Sequence, residues 1–358
     1  MTDLPRPRRT RVLLALGSIA TLTVVAFAST AVQAASAATG SARQTASAQH
    51  AAAGQHKKKH KKKHKKKPLV CAGSRIAKPG GGYWTCTFDD EFNGTKLDTS
   101  KWSPITTATS GFTNGPECYV NSPANIAERG GHLTLTALQL SAPTVCTKPG
   151  GAAFATDYTS ASVSTKGHFS QDYGRFSIRA QFPAATVAGL QTSLWMYPAN
   201  TVKYRNNSGE IDLGEEYSNF PDRAIPTIHY TFPGSPIVWQ QTSPAVPGQV
   251  NPLVGVNEYQ NNFCMFADPT AFHTYTLTWS PTEMVIQYDG KTCLDDHYVS
   301  ALATPTAKSA PFDVPFFLVL TQALGKAGTS SATPDDAFQP GVTPLPATTT
   351  VDWVRAWK

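Results

Sequence analysis

No stretch of the chain longer than two or three turns carries apolar residues at helical spacing, which excludes a helical bundle. No Cys-x-x-Cys pair occurs, so metal ligation by cysteine has no anchor. No apolar run reaches the ~20 residues of a membrane span, and the longest, from Val12 to about Ala28, falls short. Acid is nearly absent from the first 68 residues, which hold 14 Lys and Arg against Asp3 alone. Residues 69–358 then carry 17 basic and 23 acidic side chains, a net of −6, although the whole chain is +7. The basic balance therefore lies off any structured face, which argues against nucleic acid as a partner.

What is present divides the chain in three. Residues 1–37 open with Arg6, Arg8, Arg9 and Arg11, continue through the apolar run, and end on small residues such as Ala35-Ser36-Ala37. That layout predicts a cleaved secretory signal, hence a secreted protein with no membrane span after processing. Arg8-Arg9 also suggests twin-arginine export. Residues 38–68 end in HKKKHKKKHKKK, a density of like charge that opposes collapse and predicts a disordered tether. Three readings of it stay open: a solvated spacer, an electrostatic anchor to anionic cell-wall polymers, or metal binding through His56, His60 and His64.

Residues 69–358 form the folded part, expected to be monomeric. It holds all six cysteines, Cys71, Cys86, Cys118, Cys146, Cys264 and Cys293. An even number in an exported chain predicts disulfides, and pairing of sequence neighbours closes modest loops. Segments 132–138, 174–182, 275–279, 284–288 and 351–357 alternate in side-chain character and are rich in β-branched and aromatic residues. Asp289-Gly290 reads as a hairpin turn. The expected fold is all-β, an antiparallel sandwich of two packed sheets.

The stretch SGEIDLGEEYSNF, 208–220, places Glu210, Asp212, Glu215 and Glu216 within seven positions. On a strand, residues two apart share a face, so Glu210 and Asp212 point together, and the third place in that row is Gly214. A bulge at Leu213-Gly214 would bring Glu215 onto that face; without it, Glu216 takes the place. Glu216 would then lie about 20 Å along the strand from Glu210 at ~3.3 Å per residue. A retaining glycosidase needs its two carboxyl groups ~5–5.5 Å apart, which favours the bulged register. One carboxylate would attack an anomeric carbon while the other protonates the leaving oxygen. Asp212, between them, would orient Glu210. An acidic strand edge or a calcium site is the alternative reading of the same spacing.

Gly209 through Glu215 resembles the E-x-D-x-x-E signature of glycoside hydrolase family 16, the laminarinases and lichenases. FDDEFNGTKLDTSKW (88–102), YGRFSIRAQFP (173–183), SLWMYP (193–198), IHY (228–230), FHTYTLTWSP (272–281) and VDWVRAW (351–357) agree in order, so the resemblance spans nearly all of 84–358. It implies a concanavalin A-like jelly roll with a cleft on its concave sheet and a polysaccharide substrate, most simply an endo-β-1,3- or β-1,3-1,4-glucan. It also implies a retaining mechanism that requires no cofactor, with Glu210 as nucleophile, Asp212 as helper and Glu215 as acid/base.

By the same resemblance, Trp195 stacks on a sugar and His229 lines the cleft, unless either is a core residue. Arg175, Asn114 and Gln322 match positions that supply cleft polar groups, unless they serve in pairing, a turn or the core. Glu91 and Asp352 match contributors to a structural calcium ion. Laminarinases usually read G-x-W-P-A-F-W-M-L-P where this chain has GLQTSLWMYP (189–198), so Gln191 and Thr192 replace Trp-Pro and one sugar platform is missing. Tyr197 or Trp239 could compensate. A lectin-like sandwich shares the architecture without the chemistry, and a transglycosylase shares the chemistry with another acceptor.

Overall fold

The computed structural model describes residues 71–73, 75–204, 208–230, 265–326 and 337–358. The expected leader, the Lys/His tether, Trp239 and Cys264 lie outside them. Fifteen strands run through the described residues. The first seven are β1 (Cys86–Asp90), β2 (Ser103–Pro104), β3 (Cys118–Tyr119), β4 (Ile126–Arg129), β5 (His132–Thr147), β6 (Ala153–Ser164) and β7 (Gly174–Gln181). Then follow β8 (Leu190–Pro198), β9 (Glu210–Tyr217), β10 (Ile225–His229), β11 (His273–Trp279), β12 (Met284–Tyr288), β13 (Lys291–Asp296), β14 (Phe316–Leu324) and β15 (Ala347–Trp357).

Hydrogen bonding follows one path, β10-β9-β8-β14-β6-β5-β15-β7-β11-β12-β13. Every pairing is antiparallel except that of β3 with β6. The long strands β5 and β6 link two layers, so the open path folds over on itself as a sandwich. One layer is β10-β9-β8-β14-β6; the other is β15-β7-β11-β12-β13 with β1 and β4 at its edges. Period-two alternation drives this packing. Leu194, Met196, Ile211, Leu318 and Leu320 of the first layer meet Phe176, Ile178, Leu277, Ile286 and Val354 of the second, all fully buried. Each such side chain contributes roughly 1.5–3 kcal/mol by leaving water.

The expected strands are present, β5 running on through Thr147 and β15 beginning earlier at Ala347. Asp289 and Gly290 both adopt positive φ, 49° and 82°, as the two-residue turn joining β12 to β13 requires. Cys71 bonds Cys86 and Cys118 bonds Cys146, as neighbour pairing predicts. Cys293 is also disulfide-bonded, to a partner outside the described residues. Among the described residues no helix is long and apolar enough to cross a membrane.

Candidate active site

The carboxylate strand β9 is bulged. Against β8, Leu194 faces Gly214 while the next residue, Trp195, faces Asp212, so Leu213 is the extra residue. Against β10, Ile225 faces Glu215 and Thr227 faces Asp212, the same offset from the other side. Glu210, Asp212 and Glu215 therefore share one face, which looks away from the core. Gly214 is needed at the kink because a Cβ there would press on Tyr275 and the Tyr288 hydroxyl of the opposite layer, at 3.0 and 3.2 Å.

Neighbouring strands complete the face. His229 lies opposite Glu210, and its Nε2 is 2.8 Å from Asp212 Oδ2. Ser193 and Trp195 lie opposite Glu215 and Asp212. The half-buried Trp195 ring donates through Nε1 to Thr321 Oγ1 at 3.1 Å and meets Tyr197 edge-on at 5.9 Å. Glu215 Oε1 accepts from Gln191 Nε2 at 2.8 Å, Ser193 Oγ at 3.3 Å and Tyr217 OH at 3.4 Å.

The electrostatics follow from burial of like charges. Loss of water raises Glu210 to about 8, helped by Asp212 and Glu215 and opposed by His229. Burial raises Asp212 to about 8. Burial and Asp212 raise Glu215 to about 7, while His229, Gln191 and Ser193 pull it down. Three carboxyls this close titrate as a set, and the set keeps protons at neutral pH. Such a group can donate a proton where an ordinary carboxyl could not.

Glu216 points the other way. It lies opposite Thr192, whose hydroxyl meets Thr349 of the second layer, and it is only 1% exposed. Neither carboxylate oxygen has a hydrogen-bond partner, and burial holds its pKa well above 4.5. The folded protein thus keeps this proton to a higher pH than the unfolded chain does. Its contribution to stability is complete below about 4.5 and is lost as pH rises toward the folded value. Glu216→Gln should therefore gain on the wild type by up to ~1.4 kcal/mol per pH unit across that window. Urea unfolding at pH 5 and pH 8 measures the gain, and activity should stay within roughly tenfold because a nearby group biases a pKa by about one unit. A constant difference at both pH values would mean Glu216 is not buried as an acid.

Two expected cleft residues are elsewhere. Gln322 is fully buried between the layers, where its Oε1 accepts from Thr192 Oγ1 at 3.0 Å and Thr349 Oγ1 at 2.7 Å. Its neighbour Thr321 takes the cleft side, bonding Trp195 and Ser162. Arg175 belongs to β7 in the second layer, where the adjacent Phe176 faces the core. Its half-buried guanidinium therefore lies on the face of that layer turned from the core, with Nη1 3.4 Å from Thr278 Oγ1 and Nε shielded from water. Asn114 does reach the site, but behind Gln191: its Nδ2 donates to Gln191 Oε1 at 2.7 Å and to the Leu324 carbonyl at 2.9 Å.

The supposed calcium contributors fit arginine instead. Glu91 receives both arms of Arg355, at 2.6 and 2.7 Å, and Asp352 pairs with Arg179 and lies 3.7 Å from His132. Both carboxylates are thus already matched to cations of the chain, and neither joins a group of three potential ligands among the described residues. Glu210, Asp212 and His229 do offer ligand atoms within 4.8 Å of one another, and the His229–Asp212 hydrogen bond joins two of the three.

Sequence reasoning overlooked Gln191, Ser193, Tyr217 and Thr321. The first three are two or four residues from Trp195 or Glu215 on their strands, so strand parity could have found them.

The profile described as "Glycosyl hydrolases family 16" matches residues 119–295, which include the whole carboxylate strand. The chain is 32% identical over 283 residues to a glucan endo-1,3-beta-glucosidase A1 of Niallia circulans, covering 76% of this chain and 37% of that protein. It is 28% identical to a glucan endo-1,3-beta-glucosidase of Cryptopygus antarcticus, covering 72% of this chain and 86% of the relative. Among solved structures, the laminarinase from Rhodothermus marinus superposes with a TM-score of 0.56 at 26% identity, over 77% of this chain and 97% of that one.

Proposed function

The chain belongs to glycosyl hydrolase family 16, and from that premise we propose that it is an exported, retaining endo-β-glucanase. The observation that carries this reading is the doubly registered bulge, which puts Glu215 on the face of Glu210 and Asp212. In the first step Glu210, ionised while the coupled set holds its proton on Glu215, attacks the anomeric carbon. The bond to the leaving oxygen breaks as Glu215 gives that oxygen its proton, and a glycosyl ester forms on Glu210. In the second step Glu215 takes a proton from water, the water oxygen bonds to the anomeric carbon, and Glu210 leaves as a carboxylate. The two inversions restore the starting configuration.

Asp212, bonded to His229, sits between the two glutamates and orients Glu210. Trp195, standing beside Asp212 on the cleft face, offers a ring to a sugar. The relatives named above act on 1,3-β-glucans, which makes a β-1,3- or mixed β-1,3-1,4-glucan the favoured substrate, with the missing Trp-Pro pair arguing for altered fit along the cleft. A binding sandwich would have no use for three buried carboxyls bearing raised pKa values.

The test is incubation with laminarin, lichenan, agarose, carrageenan and xyloglucan, followed by proton NMR of the fresh product. Early appearance of the β-anomer, with oligosaccharides of intermediate length, is expected. Fresh α-anomer would overturn the retaining mechanism, and binding without cleavage of any of the five would favour the lectin-like alternative.

A further inference from the structure

Every donor the structure gives Glu215 converges on one oxygen. Gln191 Nε2, Ser193 Oγ and Tyr217 OH all reach Oε1. Gln191 makes the shortest of these contacts, at 2.8 Å, and stands where the family's laminarinases place a tryptophan.

The polarity of the Gln191 amide is not free. The Leu324 main-chain carbonyl can only accept, so the Asn114 group facing it at 2.9 Å must be the NH₂. The same Nδ2 reaches Gln191 at 2.7 Å, so Gln191 presents its oxygen to Asn114 and its nitrogen to Glu215. The main chain thereby dictates, through two side chains, which way the amide beside Glu215 points. Close approach of the Asn114 loop to β14 needs Gly115, because a Cβ there would collide with the carbonyl oxygens of Leu324 and Gly325. The Cys118–Cys146 disulfide ties the same loop to β5.

We propose that Gln191 is a positioning residue for the acid/base: clamped by Asn114 with its nitrogen toward Glu215, it holds Oε1 as an acceptor and leaves Oε2 to carry the transferred proton. This inference rests on the reading of Glu215 as acid/base. An oxygen already accepting from an amide N–H cannot hold its own proton in that direction without losing the bond, so the proton is confined to the other oxygen. The amide also favours the anion that forms after transfer, as a hydrogen bond to the charged form of a carboxyl does. Glu215 therefore gives up its proton more readily at the moment the leaving oxygen needs it. The other groups bearing on Glu215 are Glu210, Asp212 and Tyr217 on its own strand, His229 on β10 and Tyr288 on β12. Ser193 Oγ on β8 also meets Glu215 Oε1, and of all these groups only Tyr217 touches Gln191, its hydroxyl accepting from Nε2 at 3.3 Å.

The test titrates the Glu215 carboxyl carbon by ¹³C NMR in protein labelled at glutamate, with the Glu215→Gln spectrum identifying the signal. Gln191→Leu should raise its midpoint by about one pH unit, the scale of one lost hydrogen bond to a carboxylate. On a cleaved glucan the variant should lose about tenfold in kcat, with KM nearly unchanged and the basic limb of the rate profile moved up with the midpoint. Asn114→Ala releases the amide without touching Glu215. It should shift the midpoint the same way by a smaller amount, and add nothing to Gln191→Leu in the double variant. An unmoved Glu215 midpoint in both single variants, or a rise in KM alone, would overturn the relay. Should the wild type cleave no glucan, the proposed function fails, while the NMR titration still decides the role of Gln191.

Discussion

Glu210→Gln should be inert toward every glucan the wild type cleaves, with kcat lowered by about 10⁴-fold or more, as when a catalytic nucleophile is lost. The size follows from the chemistry. A carboxamide has no anionic oxygen to bond the anomeric carbon, so the two-step route closes and leaves only direct attack by water. Glutamine keeps the volume and leaves the His229–Asp212 contact of 2.8 Å in place, so the fold should be unaffected. An intact-mass measurement with a 2-fluoro glucoside bearing an activated leaving group checks the assignment. Wild type should gain one glycosyl unit, mapped to the peptide holding Glu210, and the variant none. Label found on Glu215 would reverse the two roles.

Glu215→Gln should separate the two chemical steps. With a natural glucan the loss should be roughly 10²–10⁴-fold, the usual worth of general acid catalysis. With a dinitrophenyl glycoside the leaving group needs no proton, so the glycosyl-enzyme should form at close to the wild-type rate and then accumulate. Azide, which attacks without a general base, should release it as the β-glycosyl azide. The wild-type profile of kcat/KM should fall as pH rises past about 7, because burial and Asp212 hold the Glu215 proton up to that value. That limb should be absent from the variant. If Glu215→Gln cleaves glucan normally and Glu216→Gln does not, the strand register described here is wrong.

The carboxylate face and the interior of this sandwich differ by one residue of parity, which explains how far spacing along a strand could be read. Glu210, Asp212 and Glu215 share one face as the bulged register predicts, because spacing, the intervening Gly214 and the ~5–5.5 Å needed by a retaining pair left one register that worked. Gln322 was misplaced because its strand is apolar on both sides: Phe316, Phe317, Leu318, Val319 and Leu320 are all buried, so no alternation marks the cleft side. Arg175 was misplaced because a strand's own sequence does not state which layer it joins. GRFSIRAQ alternates as well in the outer layer as it would in the cleft layer.

By itself the sequence determined the β class, the hairpin at Asp289-Gly290, the neighbour pairing of Cys71 with Cys86 and Cys118 with Cys146, and the bulged carboxylate row. These depend on side-chain period, turn chemistry and loop length, all local along the chain. Only the tertiary structure decided which face of β14 places Thr321 beside Trp195, that Arg175 lies on the face of its layer turned from the core, that Glu91 and Asp352 bind arginines, and that Asn114 reaches Glu215 through Gln191. Asn114 and the Leu324 carbonyl are 210 residues apart, and Gln191 and Glu215 are 24 apart. Such contacts come into being only when β8, β9 and β14 are laid side by side, since strand pairing, and not the chain's own period, sets which side chains meet.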